Sequence, residues 1–247
     1  MKPVAIVTGA AQGLGYVISQ KLLESGYNVI VSDVDFEAAQ TAVSMLTLHG
    51  QEAIAAKLNV IKKQDFIAAL TLVCATFGRC DVLVNNAAMT PTTAVMDISP
   101  EEFSDVLDIN LRGTFLGSQV FGAYFADKKF GRIINLASLA GQMGGTAAGA
   151  HYASSKAGII TLTKIFARQF ADVGVTVNSI APGPVDVPSV RDKIPAQKLQ
   201  HIINNVIPVK AMSDPNFIGS MVVMLAAKEA NTVTGATWDI NGGIYMR

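Results

Sequence analysis

Val4-Ala5-Ile6-Val7-Thr8-Gly9-Ala10-Ala11-Gln12-Gly13-Leu14-Gly15 is the stretch that decides the fold. Its first four residues form an unbroken apolar run, the pattern of a strand covered on both faces, as in a parallel sheet. Glycines follow at once, and a helical pattern then runs to Ser25-Gly26. Glycine lets a backbone turn tightly and approach a ligand closely. The start of the next helix offers free N–H groups and the positive end of its dipole, which suits a pyrophosphate. An ordinary Gly-rich turn is the alternative. The position at the first strand–helix junction favours the nucleotide, with Gly9, Gln12, Gly13, Leu14 and Gly15 as contacts.

The next strand, Asn28–Ser32, is closed by Asp33, which lies 18 residues after Gly15. An acidic residue about 20 positions beyond such glycines binds ribose hydroxyls. Its charge repels a 2′-phosphate. No Lys or Arg lies between Thr8 and Gly15, and Val34 follows Asp33. The reading is NAD(H) in preference to NADP(H). Asp33 also suits the cap of a helix predicted over Phe36–Leu48, and the two roles are compatible.

Strand and helix patterns then alternate to the end of the chain. Strands are predicted at Ala53–Leu58, Asp81–Val84, Gly131–Ala137, Val175–Ile180 and Thr237–Ile240. Helices are predicted at Gln64–Phe77, Pro100–Phe125, Tyr152 to Gly174, and Asn216–Ala227. This order defines an α/β fold with a doubly wound, parallel, seven-stranded sheet in one domain spanning 1–247. Asn85, at a strand end, reads at least as well as a structural hydrogen-bonder as a ligand contact.

Composition narrows the function classes. Hydrophobic residues make up 50% of the 247 and charged residues 15%, too apolar for a disordered chain. The formal net charge of zero argues against nucleic acid as the main partner. No apolar run reaches the length of a membrane span. Lys2 before Val4–Val7 has a superficial likeness to a signal peptide, but the run is too short and a buried first strand fits better. Cys74 and Cys80 lack metal-site spacing and read as reduced thiols of a cytoplasmic protein, with no metal site.

The chemistry is concentrated between Ser138 and Lys156. Tyr152 and Lys156 stand four apart in a helical pattern, so they share a face. An ammonium near a phenol lowers the phenol's pKa and equips it to move a proton near neutrality. Ser138 ends an apolar strand, on the side where open α/β sheets bind ligands. A Tyr–Lys pair alone is commonplace; its setting gives it weight.

Taken together, Thr8-Gly9-x3-Gly13-x-Gly15, Asn85-Asn86-Ala87, Asn110, Ser138, Tyr152-x3-Lys156 and Pro182-Gly183 resemble the short-chain dehydrogenases/reductases over essentially the whole chain. The ending Asn241-Gly242-Gly243-Ile-Tyr-Met and the run Lys129-Phe-Gly-Arg-Ile look most like the 3-oxoacyl-(acyl-carrier-protein) reductases within that family. The resemblance implies a Rossmann-type fold. It makes Tyr152 the proton donor to a carbonyl and Ser138 its hydrogen-bonding partner. Lys156 would lower the tyrosine pKa and hold the nicotinamide ribose, and Asn110 would anchor a water behind Lys156. Cofactor contacts extend to Val34, Asn59, Val60, Asn86, Ala87, Tyr152, Lys156, Pro182, Gly183 and Val185.

Some positions depart from the family. Val187 stands where a Thr often contacts the nicotinamide, with Ser189 as a substitute. Ala88 replaces a usual Gly, and Val173 replaces a basic residue of the carrier-protein patch, although Lys128 and Lys129 keep positive charge nearby. The expected activity is NAD(H)-dependent hydride transfer on a 3-oxoacyl or 3-hydroxyacyl thioester. A catabolic dehydrogenase of a steroid, polyol or cyclic alcohol, and a non-catalytic nucleotide-sensing regulator, are the alternatives. Small residues before Tyr152 and Met143 predict a roomy apolar pocket. Residues 184–212, rich in proline, read as a mobile cover. The helices carrying Leu111–Phe125 and Ile159–Phe170 are apolar nearly all round, which predicts burial against copies of themselves in a dimer or tetramer.

Overall fold

The computed structural model describes residues 1–46, 52–145, 149–192 and 194–247, with the Ser189 side chain left outside the description. The seven strands are β1 (Val4–Thr8), β2 (Asn28–Asp33), β3 (Ala53–Lys57), β4 (Val82–Asn85), β5 (Gly131–Leu136), β6 (Val175–Pro182) and β7 (Thr237–Ile240). They form one sheet in the order β3-β2-β1-β4-β5-β6-β7, and every pairing is parallel. The chain builds outward from β1 to β3 and then resumes on the other side of β1 with β4. A ligand crevice opens where such a sheet reverses direction, outside the carboxyl ends of its strands.

The apolar run that opens the chain explains why β1 sits at the centre. Alternate residues of a strand face opposite sides. Ala5 and Val7 join one core layer, with Ile18, Leu22, Val222 and Leu225 of the helices α1 (Gly13–Glu24) and α10 (Pro215–Ala226). Val4 and Ile6 join the other, with Phe66 of α3 (Lys63–Phe77) and Phe121 and Phe125 of α5 (Gly113–Lys128). A strand with no polar side needs cover on both, and burying each such side chain stabilises the fold by about 1.5–3 kcal/mol.

One polar chain crosses the second layer. Asn85 donates to Ser118 and Asn135, and Asn135 donates to Thr163. All four residues are buried. Asn85 is therefore a structural residue, held between β4, β5 and the helices behind them.

The predicted helix over Phe36–Leu48 is α2 (Phe36–Leu46); Leu48 lies outside the described residues. Its cap is Asp35, which accepts from Ala38 N–H, rather than Asp33. The single helix predicted over Pro100–Phe125 is three pieces. Ser99 caps α4 (Pro100–Leu107) by accepting from Glu102 N–H, a wide π-helical turn follows at Asp108–Arg112, and α5 then runs to Lys128. A Cβ on Gly113, just after the wide turn, would meet Val60 Cβ at 2.9 Å, so a small residue is needed there. Within the single chain the two apolar helices are covered on part of their circumference. Phe121 and Phe125 are fully buried, whereas Phe115 is exposed, as is Ile165 on α7 (Ala150–Phe170). The segment read as an aperiodic cover holds two short helices, α8 (Pro188–Arg191) and α9 (Ala196–His201), and a second wide turn at Ile202–Val206. Short stretches of this kind are too brief to show periodicity in sequence.

Candidate active site

The β1–α1 turn forms a cradle. Gly9 and Gly13 both have left-handed backbone, at φ 62 and φ 58. A Cβ on Gly9 would lie 2.8 Å from Ala87 Cα, so the glycine is required by close approach of the β4 end. A Cβ on Gly13 would meet nothing, so that side of the turn is open. Asn86 holds the cradle in shape: its amide donates to Thr8 O and Gly9 O, both at 2.9 Å. Thr8 Oγ accepts from the N–H groups of Asn86 and Ala87. At the end of β2, one Asp33 oxygen accepts from Ala11 N–H and the other from Asp35 N–H. Val34 beside it is 59% exposed. The open glycine face, the uncapped start of α1, a carboxylate and an exposed apolar side chain in one row fit a dinucleotide.

Across the switch point lie the groups predicted to do chemistry. Ser138 follows β5, and its hydroxyl accepts from Ala140 N–H at the start of α6 (Ala140–Met143). Tyr152 and Lys156 lie one turn apart on α7, as predicted. Tyr152 is raised above the usual tyrosine value by burial, against a smaller lowering effect of its hydrogen bond with Ser138. Lys156 Nζ is buried and donates to Leu136 O at 2.6 Å. It sits 5.6 Å from the Tyr152 ring centre. Burial brings Lys156 down to about 8.

These directions correct the sequence reading, in which Lys156 lowers the tyrosine pKa. Helix spacing does bring the two together, but the β5 carbonyl takes the ammonium. Desolvation is then the larger influence on the phenol.

Asn110 comes from the wide turn between α4 and α5 and is fully buried. Its side chain accepts from Met89 N–H, donates to Met89 O, and donates to Ser155 Oγ. Ser155 in turn donates to Tyr152 O. Every polar atom of the Asn110 amide group therefore ties the loop after β4 to the first turns of α7. Pro182 and Gly183 lie at and just beyond the end of β6, and Gly183 N–H donates to Ile240 O. Val187 is nearly buried, so the substituted position turns an apolar side chain inward. Asn59 turns its side chain onto Ile61 N–H, and Val60 packs in the second core layer.

His151 immediately precedes Tyr152 on α7. The structure buries it completely. Its Nε2 lies 3.0 Å from Glu102 Oε1, and its Nδ1 accepts from Tyr152 N–H at 2.9 Å. Thr93 Oγ1 donates to the same carboxylate at 2.7 Å. The partners are some 50 residues away in sequence, beyond the reach of any local pattern.

A nucleotide cradle and a Ser–Tyr–Lys cluster on either side of one switch point define an oxidoreductase that works with a nicotinamide cofactor on CH–OH or carbonyl groups. The comparisons agree, and the chain belongs to the short-chain dehydrogenase/reductase family. A family model described as enoyl-(acyl carrier protein) reductase matches residues 9–245. The 3-oxoacyl-[acyl-carrier-protein] reductase FabG of Staphylococcus epidermidis is 37% identical over 250 residues, covering 100% of both chains. The enzyme of the same name from Vibrio cholerae is 37% identical over 98% of this chain and 97% of its own. That from Staphylococcus aureus is 36% identical over 100% and 99%. Among the described residues no helix is long and apolar enough to cross a membrane.

Proposed function

We propose that the protein is a cytoplasmic, NAD(H)-dependent reductase of 3-oxoacyl thioesters. The observation that carries this reading is the Tyr152 phenol, set beside the Ser138 hydroxyl and one helix turn from Lys156. The relatives' names supply the substrate class, and the Asp33 carboxylate beside the open glycine face supplies the cofactor preference.

In this reading Ser138 and Tyr152 bind the ketone oxygen. The nicotinamide, when bound, supplies the hydride to the carbonyl carbon. Tyr152 donates its proton to the oxygen as the alcohol forms. Burial keeps the phenol protonated at neutral pH, which is the form that reduction requires; oxidation of the alcohol requires the phenolate. The site is thus set for reduction near neutrality, and alcohol oxidation gains with rising pH. Lys156, near 8, can return a proton toward Tyr152 and hold the ribose. Gly9, Gln12, Gly13, Leu14 and Gly15 hold the pyrophosphate. Asp33 and Val34 take the adenosine end, with Asn59 and Val60. Asn86, Ala87, Pro182, Gly183 and Val185 frame the nicotinamide end.

The assembly is proposed as an oligomer. Leu107, Leu111, Phe115 and Leu162 line a groove of about 530 Å³ between the α4–α5 region and α7, an apolar face suited to a second copy of the chain. A monomeric mass at micromolar concentration would sink that part.

Absorbance decay of NADH and of NADPH with acetoacetyl-CoA tests the whole reading. Fast decay with NADH supports it. Decay with NADPH alone overturns the role of Asp33, and decay with neither overturns the thioester.

A further inference from the structure

We infer that His151 is the positioning residue of Tyr152, through a hydrogen bond to the tyrosine's own backbone. The inference rests on the proposed role of Tyr152 as the proton donor.

The tautomer follows from the partners. Nδ1 faces an N–H donor, so it carries a lone pair and no proton. In the neutral ring the proton then resides on Nε2 and is donated to Glu102. The hydrogen bonds from His151 and then Thr93 hold the Glu102 carboxyl below its usual range, which matches a carboxylate accepting from both. The ring is stacked on Phe103, with centres 6.5 Å apart. A Cβ on Gly149 would strike the imidazole, with Nδ1 at 2.7 Å, so the cap of α7 must be a glycine for the ring to fit.

The consequence is mechanical. Gly149, the cap residue, satisfies no N–H with a side chain. His151 does so instead, at the one N–H that belongs to Tyr152. The ring is braced by Glu102 on α4 and, through it, by Thr93 in the loop that follows β4. Asn110 ties Met89 of that loop to Ser155, one turn further along α7. Two independent ties therefore fix the turn that carries the phenol relative to the β4 end, where the cofactor is proposed to lie. A displacement of about 1 Å at a reacting group can cost about a hundredfold in rate.

The test compares His151→Phe, which keeps a ring and loses both hydrogen bonds, with His151→Asn, whose amide oxygen can still accept from a helix N-terminal N–H. The Phe variant is expected to bind NADH as the parent does, to keep its KM within about twofold, and to lose about tenfold or more in kcat. The Asn variant is expected to recover a large part of that loss. Nitrogen-15 NMR of the labelled parent imidazole is expected to show Nδ1 as the unprotonated nitrogen and Nε2 as the protonated one. Parent-like kcat in a folded Phe variant, equal loss in both variants, or the reverse tautomer would each overturn the inference. If the Phe variant fails to fold, the tautomer decides. Tyr152→Phe is the control. An inactive control beside active His151 variants rejects only this inference, and an active control rejects the reading beneath it.

Discussion

Two helix N-termini face the crevice, and they are finished in opposite ways. At the start of α1 no side chain caps the helix, and Gly13 presents an open face. At the start of α7 the glycine has a close neighbour: Gly149 is pressed against an imidazole, and that imidazole accepts the Tyr152 N–H. Both ends have unpaired donors in the bare helix. Leaving them free makes a place for an anion. Closing them with a braced side chain makes a fixed point. The difference shows that the same element can serve as a socket or as a mount, according to what its first turn is given to bond.

The contrast predicts separable failures. The largest is Tyr152→Phe, expected to keep NADH binding and lose about 10²–10⁴-fold in kcat. Unchanged turnover would remove the phenol from the chemistry and leave α7 without a function to mount. Next comes Gly13→Asp. A carboxylate in the open face is expected to raise the cofactor KM by tenfold or more, about 1.4 kcal/mol, with kcat at saturation little changed. A fall in kcat without a change in KM would mean that the α1 end is not the socket. Asp33→Ala follows, expected to shift the NADH to NADPH ratio of kcat/KM by about tenfold or more, since a hydrogen bond to a charged group is worth about 1.5–3 kcal/mol. An unchanged ratio would reduce Asp33 to its observed bonds with Ala11 and Asp35.

The smallest effect is on stability. Lys156 has its pKa near 8 in the folded chain rather than 10.5, so between those values the unfolded chain holds a proton that the folded chain has lost. Stability therefore rises as pH goes from about 8 to 10.5, where the folded lysine is neutral and the unfolded one is still charged. Lys156→Met is expected to have the higher melting temperature near pH 7 and to lose that lead near pH 10.5. A lead that persists at high pH would mean that packing, not charge burial, separates the two.

The socket was legible in the sequence and the mount was not. The apolar run at Val4–Val7 and the glycines after it are contiguous, so the strand, the turn and the helix start could all be read from one stretch. The order of strands and helices gave the doubly wound sheet for the same reason, because periodicity is a local signal. Tyr152, Lys156 and Ser138 were placed together correctly. The lysine's preference for Leu136 O was not visible, because that carbonyl belongs to a strand 20 residues earlier. His151 shows the limit most clearly. Its partners are Glu102 and Thr93, and nothing in the residues around Tyr152 announces either. The wide turn at Asp108–Arg112 escaped in the same way: it lies between two helices whose pattern runs through it, and tertiary contacts around Asn110 and Gly113 accompany the altered winding.

The buried row Ser118–Asn85–Asn135–Thr163 has a consequence for how the chain finds its fold. Parallel strands pair only after long excursions, which makes the search slow and wrong alignments accessible. In the apolar parts of β4 and β5, Val82, Leu83, Ile133 and Ile134 are similar in shape, so packing alone discriminates weakly between offsets. A slip of one residue between β4 and β5 would put Asn85 and Asn135 on opposite faces, break the bond between them and strand the turned amide among hydrocarbon. An unsatisfied buried amide costs about 1–3 kcal/mol. The polar row thus acts as a proofreading mark, tolerating one alignment of the two central strands and penalising its neighbours during assembly.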